Sequence, residues 1–243
     1  MDFFSCYASA AFGFEGLVAE ELRTYHLRDV RAENGGVRFS ATLEELYLCN
    51  LRLRYSDRVF LLAAEQHCTS FEDLFQLVFS VPWGDYVRGN EALNFSAHCT
   101  RSILMSPRDC QSIGKKAMIE KLKKDPGISH FPENGPAFPV VISIHSDKAR
   151  ITINMSGNAL SRRGYRTWNG EAPIRETLAA ALVHLSPWKP GRPVYEKTLS
   201  TLIQTNETYE STQIDAFFES KPKIDAFLKI DANVQRQEYK MAS

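Results

Sequence analysis

Apolar and polar positions along the chain fall into short blocks whose period switches between two and about 3.6 residues, and these blocks predict the order of elements. Phe3 to Ser9 is a short aromatic run that suits a strand. Gly13 then opens a helix, with Leu17, Val18, Leu22 and Tyr25 along one side. Leu27 to Glu33 reads as a strand, Asn34-Gly35-Gly36 as a hairpin turn and Val37 to Ser40 as the returning strand. Thr42-x-x-Glu45 is a capping box ahead of Leu46, Leu48 and Leu51, which predicts a helix. Asp57 to His67 alternates through Val59, Leu61 and Ala63 as a further strand. The order βαββαβ suits a small sheet with helices on one face, a ferredoxin-like arrangement.

A second α+β block follows. Ser70 with Asp73 caps a helix carrying Phe71, Leu74, Phe75 and Val78, and Pro82-Trp83-Gly84 ends it. Leu93 to Cys99 reads as a strand. Ser106-Pro107 supplies an N-cap and a proline at the first helical position, and the helix runs to about Lys124, stopping before Pro126-Gly127. Phe138 to His145 and Ala149 to Met155 are two strands joined at Ser146-Asp147-Lys148. Glu171-Ala172-Pro173 starts a last helix, with Leu178, Leu182 and Leu185 as its apolar stripe, and Pro187-Trp188 stops it.

Composition narrows the class. The 243 residues carry 29 basic and 29 acidic side chains and 44% hydrophobic residues, an ordinary globular make-up with no net charge. A uniformly basic coat is thereby excluded, a local basic face is not. The five cysteines (Cys6, Cys49, Cys68, Cys99, Cys110) are odd in number and never spaced Cys-x-x-Cys. That argues against a disulfide framework or a zinc site and for a reducing, cytoplasmic setting. Met1 to Tyr7 lacks the basic and apolar regions of a signal peptide, and no apolar run approaches the ~18 residues of a membrane span.

Charge is nonetheless uneven. From His98 to Lys124 there are seven Lys or Arg against Asp109 and Glu120. On a helical wheel Cys110, Ile113, Gly114, Ala117, Met118 and Leu122 form the apolar side. Arg108, Lys115, Lys116 and Lys123 gather opposite, with Arg101 just upstream and Lys121 near the apolar edge. Such a face is either simply solvated or a phosphate-contacting surface with salt-dependent affinity. If nucleic acid is the partner, RNA suits better than DNA, since no helix-turn-helix, zinc finger or basic zipper is visible. Arg162, Arg163, Tyr165 and Arg166, with Trp168, mix guanidinium groups and rings within seven residues. That mixture suits a phosphate backbone and an unpaired base, or equally a connector packed between two domains.

Several stretches together resemble the bacterial THUMP-domain RNA methyltransferases of the 23S rRNA guanine-N2 type. They are Ala8 to Leu22, Asn34 to Phe39, Arg108 to Ala117, Asn154 to Gly157, Arg163 to Arg166 and, most specific, Glu171-Ala172-Pro173-Ile174-Arg175-Glu176-Thr177-Leu178. The resemblance covers about three quarters of the chain. It implies a ferredoxin-like amino-terminal domain over 1–66 and a THUMP RNA-binding domain over 67–160. Residues 161–190 would then be a linker and the first helix of a Rossmann-like domain that uses S-adenosylmethionine. Structured RNA, large-subunit rRNA in particular, is the implied partner, with neither DNA nor a membrane expected.

After Pro190 the family pattern stops. The family continues into an Asp-Pro-x-Cys-Gly-Ser-Gly-Thr loop and later an Asn-Pro-Pro-Tyr-type motif, whereas here Gly191 is the last glycine and neither motif occurs. A glycine turn is what lets the backbone approach a cofactor. Residues 191–243 therefore read as an atypical tail, truncated, frame-altered or a replacement. The expectation is an α+β RNA-recognition region with an incomplete catalytic part, which binds no S-adenosylmethionine alone. The rival expectations are an interaction protein derived from the family, and an active methyltransferase with a divergent catalytic part.

Overall fold

The computed structural model describes residues 3–87, 90–124, 133–163 and 174–187, and the chain divides into two compact units, 1–161 and 162–243. In the first unit the elements run β1 (Phe4–Ala10), α1 (Glu15–Thr24), β2 (Arg28–Glu33), β3 (Gly36–Ala41), α2 (Leu43–Arg52) and β4 (Ser56–His67). Then come α3 (Phe71–Ser80), a 3₁₀ turn (Trp83–Asp85), β5 (Ala92–Thr100), α4 (Pro107–Leu122), β6 (Ala137–His145) and β7 (Lys148–Asn154). This is the mixed α+β fold that the alternating periods predict.

Local chemistry fixes most boundaries. Thr42 with Glu45, and Ser70 with Asp73, form complete capping boxes, and Ser106 accepts the Asp109 N–H at the start of α4. The first helix begins at Glu15, two residues later than predicted. Gly13 sits at φ +87, a left-handed conformation that a helix cannot include, and its N–H is taken by the Glu15 side chain at 2.8 Å. The other Glu15 oxygen accepts the Gly35 N–H at 3.1 Å, so one carboxylate joins the first turn to the β2–β3 hairpin. Glu21, almost fully buried, accepts the Arg54 and Tyr55 N–H groups between α2 and β4.

The seven described strands form one sheet in the order β2-β3-β1-β4-β7-β6-β5. The first four strands give the ferredoxin-like order, antiparallel throughout. The two α+β blocks are not separate sheets: β4 continues into the second through an antiparallel ladder with β7, from Phe60↔Asn154 to His67↔Lys148. Among the described strands only β5 and β6 run parallel. The helices lie on one face, over a core that includes Phe39, Leu46, Leu61, Leu74, Met118, Ile142 and Ile151. Trp83 is fully buried beside them and donates its indole N–H to the Val78 carbonyl at 2.8 Å.

Gly114 lets α4 approach the sheet. A methyl there would stand 2.6 Å from Ile142 Cδ1 and 3.1 Å from the Phe95 ring. Gly114→Ala is expected to lose about 1–2 kcal/mol, because overpacking outweighs alanine's better helix propensity. A lower urea midpoint at unchanged slope would show it, and a raised midpoint would mean that Ile142 yields freely.

In the second unit one helix is described, α5 (Glu176–Leu185). Arg175 before it is extended (φ −62, ψ 143), and the Pro173 start predicted from sequence lies outside the described residues. The apolar stripe also differs from expectation. Thr177 and Ala181 are buried, while Leu182 and Leu185 are 47% and 60% exposed. No described helix is long and apolar enough to cross a membrane.

Candidate nucleic-acid interface

Helix α4 sets the site. Its inward side is nearly the predicted one: Cys110, Gly114, Ala117, Met118 and Leu122 are buried, with Ile113 half-buried at the margin. That choice of side turns Arg108, Lys116 and Lys123 to solvent, and Lys124 follows them. Lys115 is held differently. Its Nζ lies 2.7 Å from Glu133 Oε2, an acid eighteen positions on in the chain, so its charge is largely matched within the fold. Lys116 makes an i,i+4 pair with Glu120 at 3.8 Å, exposed and therefore weak. Lys121 and Lys124 lie over the Phe79 ring of α3 at 5.7 and 4.6 Å, their stems covering an aromatic that would otherwise face water.

Arg101 stands exposed at the carboxyl end of β5, in a left-handed conformation (φ +51). The structure thus brings Arg101, Arg108, Lys115, Lys116 and Lys123 onto one helix and the loop that leads into it. Arg162 and Arg163 open the second unit, and Tyr165 and Arg166 lie outside the described residues.

Sequence patterning missed a second cluster, on the sheet face away from the helices. Arg150 of β7 reaches Glu33 of β2 at 2.6 Å and Glu65 of β4 at 3.0 Å, with its guanidinium 4.6 Å over the Tyr7 ring. Arg38 of β3 pairs with the same two acids at 3.0 and 2.7 Å, and Lys148 meets Glu65 at 3.1 Å. Burial would raise the Glu65 carboxyl, but hydrogen bonds from Arg38, Lys148 and Arg150 outweigh it and bring the group down to about 2. Plain alternation would set Glu65 on the core face with Val59 and Leu61; the register shift between Leu62 and Ala64 turns it to the face of Arg150, and the pairing across five strands has no local signal.

All five cysteines are free thiols; burial pushes Cys6, Cys49 and Cys110 up to about 12, and Cys68 up to about 11, so none of these four supplies a thiolate nucleophile at neutral pH. Among the described residues no group of His, Cys, Asp and Glu is arranged to hold a metal ion. What remains is a row of exposed cations on a rigid helix and its entry loop, a surface suited to a polyanion.

Comparison with known proteins gives three consecutive domain matches. Residues 5–60 match the RlmL ferredoxin-like domain, residues 68–154 the THUMP domain and residues 163–196 the RMKL-like methyltransferase domain. The chain is 38% identical over 188 residues to YpsC of Bacillus subtilis, an RNA methyltransferase by name, covering 76% of this chain and 49% of that protein. It is 33% identical over 189 residues to a Vibrio cholerae ribosomal RNA large subunit methyltransferase K/L, covering 76% of this chain and 26% of that one. The solved structure of SMU.472, described as a methyltransferase complexed with SAH, is similar at a TM-score of 0.68 and 38% identity, over 79% of this chain and 51% of that one. The chain thus spans about half the length of the Bacillus relative and about a quarter of the Vibrio one.

Proposed function

The chain belongs to the THUMP-domain RNA methyltransferases, and from that premise we propose that residues 1–161 are an RNA-capture module which holds large-subunit rRNA for methylation of a guanine. The observation that carries this reading is the row of exposed cations, Arg108, Lys116 and Lys123, on the helix of the THUMP match. Its other supports are the rRNA named for the Vibrio relative and the guanine-N2 type of the resembling enzymes. Arg162, Arg163, Tyr165 and Arg166 extend the same proposal into the connector. A row of point charges grips phosphates without reading bases, so sequence preference must come from elsewhere.

Methyl transfer itself is not assigned to these residues. S-adenosylmethionine is the methyl donor that the family and the SAH-bound neighbour suggest. The described residues of the second unit supply one helix, α5, and no residue there is assigned to holding the methyl donor. We therefore place capture in this chain's described residues and derive no catalytic step from them. The five free thiols agree with a reducing, cytoplasmic setting.

Filter binding of a 23S rRNA fragment across a salt series tests the proposal. Affinity is expected to fall steeply with salt, and Arg108→Ala and Lys123→Ala are each expected to reduce the slope by about one. Lys115→Ala should change it less, because Glu133 already matches that charge. Binding that is absent, or indifferent to salt, overturns the proposal.

A further inference from the structure

The loop from Arg101 to Ser106, between β5 and α4, combines rigidity with exposed apolar side chains. Ile103 and Met105 are 67% and 79% exposed, while Leu104 between them is buried at 3% and anchors the turn. Asp147, in the β6–β7 turn, accepts the Ser102 hydroxyl at 2.7 Å and the Ile103 N–H at 2.8 Å. Ser102 in turn accepts the Leu104 N–H at 3.1 Å, and the Ser146 N–H donates to the Thr100 carbonyl at 3.2 Å. Asp147 is itself fixed, since its carbonyl accepts the Cys68 N–H at 2.7 Å. Arg101, Ser146 and Asp147 all hold left-handed backbone (φ +51, +51 and +61), an unfavourable conformation for non-glycine residues that surrounding bonds must maintain.

Folding gains little from holding two large apolar side chains out in water on so well-bonded a loop, whereas binding does. The charges beside them select the partner. Arg101 and Arg108 are exposed on either side, and Asp109 is the acid in the first turn of α4. Cations flanking apolar tips fit a polyanion that also offers flat apolar faces, which means a nucleic acid whose bases are out of the stack. A duplex hides those faces, and an acidic protein segment seldom pairs them with regular negative charge.

We propose that Ile103 and Met105 pack against unpaired bases of a single-stranded RNA segment while Arg101 and Arg108 hold the flanking phosphates, with Asp147 as the positioning residue of the loop. The inference rests on the RNA-capture reading and adds to it the form of RNA that this loop takes.

The test uses the 243-residue chain with two labelled RNA probes, a hairpin bearing a single-stranded tail and the same hairpin cut blunt. The double variant Ile103→Ala, Met105→Ala is expected to bind the tailed probe about tenfold more weakly and the blunt probe as before, since burying two aliphatic side chains against a base is worth at least that factor. Both side chains are exposed, so melting temperature should not move. Asp147→Ala discriminates further. Removing an acid near a polyanion strengthens binding by charge alone, whereas a loosened loop weakens it for the tailed probe. Weakening is expected, with Asp147→Asn retaining most of the affinity because its oxygen can still accept both bonds. Equal losses on both probes, no loss on either, or tighter binding by Asp147→Ala overturns the inference while leaving RNA capture intact. A wild-type chain that binds neither probe overturns RNA capture and this inference with it.

Discussion

Gly36→Ala is expected to destabilise the first unit by about 3 kcal/mol or more, at the upper end of overpacking costs. A methyl on Gly36 would fall on the Ala8 carbonyl oxygen and within 2.5 Å of Tyr7 Cζ. Relief by a side-chain rotation is not available, because the nearest clash is with backbone. Nor can β3 retreat, since it is hydrogen-bonded on one side to β1, with Ser9 opposite Gly36, and on the other to β2, with Glu33 opposite it. Gly35 provides the control. It sits at φ +82 with open space around it, the Tyr7 hydroxyl at 3.7 Å being the nearest atom, so Gly35→Ala pays only the conformational penalty of about 1–2 kcal/mol. Urea unfolding of both variants decides the matter. If Gly36→Ala unfolds no earlier than Gly35→Ala, the β1–β3 contact is looser than the geometry indicates.

The second large effect concerns the charge cluster on the open sheet face. Arg150→Met is expected to cost about 2–3 kcal/mol at neutral pH, since it strips charge-assisted hydrogen bonds from Glu33 and Glu65 and leaves two half-buried carboxylates under-matched. The figure is held below that for a fully buried pair because Glu33 is 33% and Glu65 15% exposed, and Arg38 still reaches both acids. The pH dependence has a definite sign. The Glu65 carboxyl is held at about 2 in the fold against an ordinary value of 4.5, so its contribution is fully present above about 4.5 and drains away as the pH falls toward about 2. Glu33 is lowered as well, the Arg150 and Arg38 guanidiniums outweighing the effect of burial. The gap between wild type and Arg150→Met should therefore narrow on acidification through that window. A gap that stays constant from neutral pH to pH 3 would mean that the arginine acts by packing alone.

Much of the fold was legible because its determinants are local. Thr42 with Glu45 and Ser70 with Asp73 announce helix starts from side chains three residues apart, and both boxes form. The wheel of α4 correctly separates Ala117 and Met118 from Lys116 and Lys123 because one helix samples its own periodicity. Failures came where a distant partner decides. Lys115 reads as a free cation until Glu133 folds back beside it. Leu182 and Leu185 read as an inward stripe, yet Thr177 and Ala181 are the buried positions. Asp147 reads as a turn residue, and nothing near it in sequence reveals that it fixes the loop carrying Ile103 and Met105. The resemblance to known methyltransferases was carried by motifs whose structural reasons are now partly visible. Glu15 ties the first motif to the Asn34-Gly35-Gly36 motif, and Ser156 of the Asn154–Gly157 motif donates to Asn50 at 2.6 Å and accepts the Val59 N–H at 2.7 Å.

The β4–β7 ladder has a consequence for how the chain is made. Leu61 finds its partner Ile153 roughly ninety residues later, a separation that makes this closure slow relative to the hairpins on either side. As the chain leaves the ribosome, β4 can pair with β1 at once, yet its other edge stays bare until all of β5, α4 and β6 has been synthesised. The bare edge of this twelve-residue strand invites pairing with another chain during that interval. Its far end, Glu65-Gln66-His67, is polar, so the late-filled portion of the edge carries its own guard against premature association.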